Sequence, residues 1–292
     1  MKRLILVSTL TILAIAVGAL CWLLLSESGL RWAYGRAQPH IPGELEFSQL
    51  SGRLGGPIML EQIRYRQDGN SIAAQRITLD WNPWALVAAE FDVNSLHIED
   101  LDLLLADSAS TDEDSEPASN LAELTLPIGV NLQRLVVDGI RVTRGSSTTA
   151  LERIESSASV DRKRIRIGEF KIESDLVNLK LSGTAATETN LPHDFELSWD
   201  SRLASGETVL GQGRISGDLS QTRISQQIEG AVELGLALTL EAILEQLSWR
   251  AQIDIAALDT GRLNPELTPL AGAMTLAAEG NLDSLTARGN IR

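Results

Sequence analysis

Residues 234–255 read LGLALTLEAILEQLSWRAQIDI, and their spacing decides the fold class. Leu234, Leu236, Leu238 and Leu240 fall on every second position, and after a short interval Trp249, Ala251, Ile253 and Ile255 do so again. Side chains along a strand alternate between two faces, whereas a helix repeats about every 3.6 residues, so this period belongs to strands with one oily and one wet face. The pattern recurs toward the amino terminus in Phe195, Leu197 and Trp199, in Leu179 with Leu181, in Phe170 with Ile172, and in Ile165 with Ile167. Ile140 with Val142, Leu135 with Val137, the triplet Leu101, Leu103 and Leu105, and the triplet Ile77, Leu79 and Trp81 extend it further. Asp, Asn, Lys, Arg, Ser and Thr fill the positions between. The parity of the apolar positions changes between Leu96 and Leu101, which predicts a bulge.

Helical intervals are short. Pro83 opens one turn through Trp84 to Glu90, Asn264 and Pro265 open another reaching Leu267, and Glu241 to Leu247 reads as a third. None is long enough for the crossover of a βαβ unit, so the sheet is expected to be an antiparallel meander for most of its course. Residues 107–120, DSASTDEDSEPASN, read as a disordered acidic loop. Asp112, Asp114 and Glu116 alternate there, but the central Gly and terminal Glu of a calcium loop are missing. From residue 77 to residue 133 there is no Lys or Arg, which reads as a solvated acidic face rather than a docking site for a basic partner.

The amino terminus differs from all of this. After Lys2 and Arg3, residues 4–26 carry no charge, and about 20 apolar residues cross the ~30 Å hydrocarbon layer as a helix. Small residues at Ala14, Ala16 and Gly18 suit signal peptidase, yet Leu20, Trp22, Leu23, Leu24 and Leu25 continue the apolar run past them and favour a retained anchor. Cys21 follows the bulky Leu20, which disfavours lipid attachment. Basic charge is denser before the helix than after it, where Arg31 and Arg36 are spread out, so the body is expected on the exported side. Residues 1–38 therefore read as a signal-anchor transmembrane helix with an interfacial extension, and 39–292 as one β domain.

Composition narrows the function. A net charge of −14 over 292 residues repels polyanions and sets nucleic acid aside. One cysteine in the whole chain excludes an internal disulfide and a multi-cysteine metal site. His40, His97 and His193 stand isolated in sequence, no HExxH or GxSxG is present, and Gly211, Gly213 and Gly217 miss the dinucleotide-binding spacing by one place. Those glycines read as turn or bulge residues. No catalytic, cofactor or metal residue is expected.

The opening helix, then Leu50-Ser51-Gly52-Arg53-Leu54-Gly55-Gly56-Pro57-Ile58 leading through Ile63 to Tyr65, then Ile77-Thr78-Leu79-Asp80-Trp81-Asn82-Pro83-Trp84-Ala85-Leu86, resembles the amino-terminal part of the TamB family of AsmA-like envelope proteins. Gly213-Arg214-Ile215-Ser216-Gly217-Asp218-Leu219 and Gly280-Asn281-Leu282-Asp283-Ser284-Leu285 are similar to that family's strand-turn-strand repeats. Family members are several times longer, so the resemblance suggests a fragment lacking a carboxy-terminal region that meets an Omp85-type outer-membrane barrel. It further implies an elongated, curled sheet forming an open hydrophobic half-pipe, anchored in the inner membrane of a Gram-negative bacterium with its body in the periplasm, which conducts phospholipids toward the outer membrane. Lining by Ile77, Leu79, Trp81, Leu101, Leu103, Leu105, Leu135, Val137, Ile165, Ile167, Ile172, Leu179, Leu181, Phe195, Leu197, Trp199, Leu234, Leu236, Leu238, Leu240, Ile253 and Ile255 is the expectation. Two other readings stand beside it: a scaffold that offers sheet edges to outer-membrane β-barrel or autotransporter clients, and a filled β-helix or sandwich. The varying strand spacing counts against a filled helix.

Overall fold

The computed structural model describes residues 2–67, 69–105, 128–145, 147–161, 163–187, 190–203, 205–244, 246–263, 271–281 and 284–291. The acidic stretch 107–120 and the helical turn expected at Asn264 lie outside them. The chain divides into two compact units, one of residues 1–108 with 130–150, the other built on residues 151–292.

The first unit opens with α1 (Lys2–Leu25) and α2 (Glu27–Ala37). Ser26 parts them. Its backbone is extended, its Oγ accepts from Gly29 N at 3.0 Å, and Glu27 complements the dipole of the new helix. Thr11–Leu25 and Glu27–His40 are bent by 86°. Among the described residues no single helix is long and apolar enough to cross a membrane, although this bent pair taken together has the length and composition. Buried Leu30 and Leu50 lie where α2 meets the sheet, and Gly55 N donates to the Leu24 carbonyl at 2.7 Å, so the LSGRLGGP segment ties the end of α1 to the strands.

The strands that follow are β1 (Glu44–Glu46), β2 (Gln49–Gly52), β3 (Ile58–Gln67), β4 (Asn70–Asn82), β5 (Glu90–Leu105) and β6 (Gly129–Arg144). A 3-10 turn, Pro83–Ala88, joins β4 to β5 where the Pro83 turn is expected, and Asn82 Oδ1 caps it by accepting from Trp84 N at 3.2 Å. β1 and β2 both pair with β3, β3 with β4, and β4 with β5, all antiparallel. The step from β5 to β6 departs from the expected meander. Asn131 bonds Asp92, His97 bonds Asp138 and Arg141 bonds Asp102, so residue numbers climb together and the two strands run parallel. Parallel neighbours need a connection of a dozen or more residues, and residues 106–128 supply that length.

A second feature crosses these strands. Gln62 and Asp100 have φ of 52° and 50°, and Gly139, whose α-carbon faces Asp100, has φ of 65°. On one side of this line Leu60, Ile77 and Ile98 are in register; on the other side Tyr65, Ile72 and Leu103 are. The apolar parity therefore steps by one residue at the same place in neighbouring strands, but the register is unchanged across it, so in place of the bulge expected near residues 96–101 there is a left-handed residue in several strands at once, which turns all of them over together. A register shift between Asp80 and Trp81 adds a further irregularity.

β7 (Ser147–Val160) straddles the division at residue 150. The second unit continues with β8 (Arg164–Glu173), β9 (Val177–Ala186), β10 (His193–Arg202), β11 (Thr208–Gly217), β12 (Gln221–Glu229), β13 (Val232–Glu241), β14 (Ser248–Asp259), β15 (Ala271–Asn281) and β16 (Leu285–Ile291). Each strand pairs antiparallel with the next, and the last does not return to the first, so the sheet is not closed into a barrel. Aspartates close several of its turns. Asp161 Oδ1 accepts from Lys163 N and Arg164 N at 2.9 and 2.8 Å, and Asp218 Oδ1 from Gln221 N and Ser220 N at 3.0 and 2.8 Å. Those backbone donors hold both carboxyls below the usual range. The helix expected from Glu241 is absent among the described residues: Ala242 takes a φ of 51° and donates to the Ser220 carbonyl at 3.0 Å, turning the chain instead. A single helical turn, α3 (Thr260–Leu263), follows β14.

Candidate functional site

Directly opposed residues of antiparallel neighbours share a face, so the registers fix which side each residue takes. In the second unit the apolar residues form four rows across β8 to β16. One row runs Ile167, Gly183, Phe195, Ile215, Ile224, Leu238, Ala251, Ala278, Ala287. Beside it Leu181, Leu197, Gly213, Gln226, Leu236, Ile253 and Leu276 align, and then Ile172, Leu179, Trp199, Gly211, Ile228, Leu234, Ile255 and Met274. The outermost row passes Ile165, Ala185, His193, Gly217, Thr222, Leu240 and Trp249. All fourteen lining residues expected between Ile165 and Ile255 fall in these rows. A bulge at Gly168 keeps Phe170 and Ile172 in phase with Ile165 and Ile167.

In the first unit Ile77, Leu79 and Trp81 oppose Ile98, Leu96 and Val93, while Leu103 opposes Ile72 beyond the parity step. Leu101 and Leu135 are half-buried, Val137 is buried and Leu105 is exposed.

Packing decides what these rows can do. Among the described residues no large side chain is fully buried. Every expected lining residue of the second unit is half-buried, and among the described residues the strands there pack beside one another with no second layer of elements over them. Sequence reasoning missed Ile215, Ile224, Ile228, Met274 and Leu276. On β12 the alternation is readable in Ile224 and Ile228 but broken by the inward Gln226, and on β15 small residues dilute it.

The other face is charged. Arg214 grips Asp194 through Nε to Oδ1 at 2.7 Å, Lys171 Nζ meets Glu169 at 3.0 Å, and Arg250 lies 3.9 Å from Glu279. In the first unit Arg76 bridges Glu61 at 3.8 Å and Glu99 at 3.0 Å, and Arg141 meets Asp102 at 2.6 Å. The Arg214 guanidinium holds the Asp194 carboxyl below the usual range.

Two histidines that look isolated in sequence have partners. His97 Nε2 sits 2.7 Å from Asp138, brought there by the parallel pairing, and His193 reaches Leu191 O through Nδ1 and Thr222 Oγ1 through Nε2 at 2.9 and 3.2 Å. His97 Nδ1 also lies 3.9 Å from Glu99, yet among the described residues no cluster of three or more His, Cys, Asp or Glu is placed to hold an ion.

The model of the TamB N-terminal domain matches this sequence twice, over residues 16–172 and 115–290. The chain belongs to the TamB family. No solved structure matches it. Membership of this TamB family of envelope proteins agrees with a role in lipid transport or in envelope assembly.

Proposed function

We propose that this TamB-family chain conducts phospholipids between the inner and outer membranes of a Gram-negative envelope, anchored in the inner membrane through its apolar amino-terminal run, residues 4–25, with its sheet in the periplasm. The observation that carries the reading is the set of four apolar rows running across successive strands, with no layer of elements over them among the described residues. Such a face is costly in water and is relieved by any aliphatic cover, at about 0.8 kcal/mol per CH₂ removed from solvent. Acyl chains fit a lining of Leu, Ile and Val that holds no fixed charge, because contacts of this kind are non-directional and leave a tail free to slide from row to row. Head groups stay in water, since a phosphate buried among aliphatic side chains is prohibitive. The work is non-covalent, with no cofactor, and an Omp85-type barrel is the proposed receiver.

The test is site-specific photocrosslinking in cells. A photoreactive residue at Leu181 or Leu236 is expected to capture phospholipid, and one at Lys180, which alternates with them on the opposite face, is not. Absence of lipid adducts at both leucines removes the conduit.

A further inference from the structure

We infer that Gln226 and Trp199 form a polar station within the apolar face, where the Gln226 amide donates a hydrogen bond to the ester carbonyl of a glycerophospholipid; this rests on the conduit reading above. Gln226 occupies an inward position of β12, aligned between Gly213 on β11 and Leu236 on β13. An amide amid aliphatic neighbours is costly unless its hydrogen bonds are made. One is made within the protein. Trp199 Nε1 lies 3.3 Å from Gln226 Oε1, and because an indole nitrogen can only donate, this contact orients the amide with its oxygen toward the ring and its NH₂ away. Among the described residues that NH₂ has no acceptor, so its donors are available to a guest.

β11 makes the room. Its consecutive inward positions Gly211 and Gly213 carry no side chain, and the glycines flagged in the sequence as a failed nucleotide motif gain a purpose. A Cβ on Gly211 would collide with the Trp199 ring, which lies across it, and one on Gly213 would stand 2.8 Å from Gln226 Nε2. Trp199 thus reaches from β10 over a bare strand to β12, and the amide sits in the furrow that strand leaves.

The chemistry of the guest follows from what surrounds the donor. The basic residues nearest in these strands, Lys180, Arg214, Arg223 and Arg250, all occupy the alternate positions and face the other way. A phosphate would find no counter-charge here. The fitting ligand is a neutral acceptor at the head of an aliphatic chain, which describes an acyl ester carbonyl.

Matched diester and diether phosphatidylcholines of equal chain length discriminate, because the ether lacks the carbonyl. The detergent-solubilised chain is expected to bind the diester more tightly by roughly threefold to tenfold, the worth of one neutral hydrogen bond. Gln226→Leu is expected to bind the diether as the parent does and to lose the preference. Equal binding of both lipids by the parent, or a preference that survives Gln226→Leu, overturns the station while leaving the conduit intact. Binding of neither lipid by the parent ends both. If Gln226→Leu does not fold, Trp199→Phe keeps a ring on Gly211 but removes the orienting N–H, and must lower the preference; an unchanged preference there also overturns the station.

Discussion

The two units spend the same strand pattern in different ways. Among the described residues the buried apolar side chains of the first unit are Leu30, Leu50, Ile63, Ala74, Val93, Val136, Val137 and Ile140, whereas those of the second are only Ala185, Val209 and Ala231. In the first, a helix packs against β2, β6 adds a parallel strand beside β5, and charged side chains bridge neighbouring strands. In the second, successive hairpins leave a face of large aliphatic residues half-covered. The contrast teaches that alternation alone does not make a core: covering the oily face takes a further element, and among the described residues the second unit has none over its rows.

The sharpest way to break this contrast is to cut matched side chains from each unit. Ile140→Ala, at a site 4% exposed, is expected to cost about 2–5 kcal/mol, and Ile253→Ala, at a half-buried site, about 1 kcal/mol, measured by denaturant unfolding. Equal losses would show that the rows of the second unit are a core after all. A smaller effect on stability, but a decisive one on function, is expected from Leu236→Arg. Its charge should lower phospholipid capture at Leu181 at least about tenfold, equivalent to ~1.4 kcal/mol, with the circular dichroism spectrum unchanged. Capture at the parental level would detach that row from lipid movement.

The least effect comes from acid. Asp194 has a lowered pKa in the folded protein because of Arg214, so the pair's contribution is fully present above the ordinary aspartate value of about 3.9 and is lost as pH falls through the lower folded value. Both side chains are about half exposed, so the change is small. Arg214→Ala should flatten the acid limb of the melting-temperature profile below about pH 4 relative to the parent. An identical limb in both proteins would show that the charged face is passive.

Much of the second unit is legible from residues two apart, because each of its strands pairs with its sequence neighbour and the hydrophobic period sets the face. Asp161 and Asp218 mark turns by the same local logic. The first unit is less legible for reasons that are not local. Parity changes can be read at Ile98 and Leu101 and again at Val137 and Ile140, but their alignment across strands depends on register. The pairing of His97 with Asp138 requires a parallel return that no window of sequence announces. Ser26 is a different case: a serine followed by glutamate is an N-cap signal, present but outweighed by the apolar run before it. Gln226 is legible only as an interruption, and its partner Trp199 lies two strands away.

The parallel step between β5 and β6 bears on how the chain reaches this state. The pairing of Asp92 with Asn131 joins residues 39 apart, so the edge of β5 waits unsatisfied until a distant segment arrives, while β8 to β14 zip together between near neighbours. High contact order slows folding, and the loop must be closed before its contacts repay the entropy. The later part of the molecule is therefore expected to be the quicker to assemble, with the edge of β5 open in the meantime.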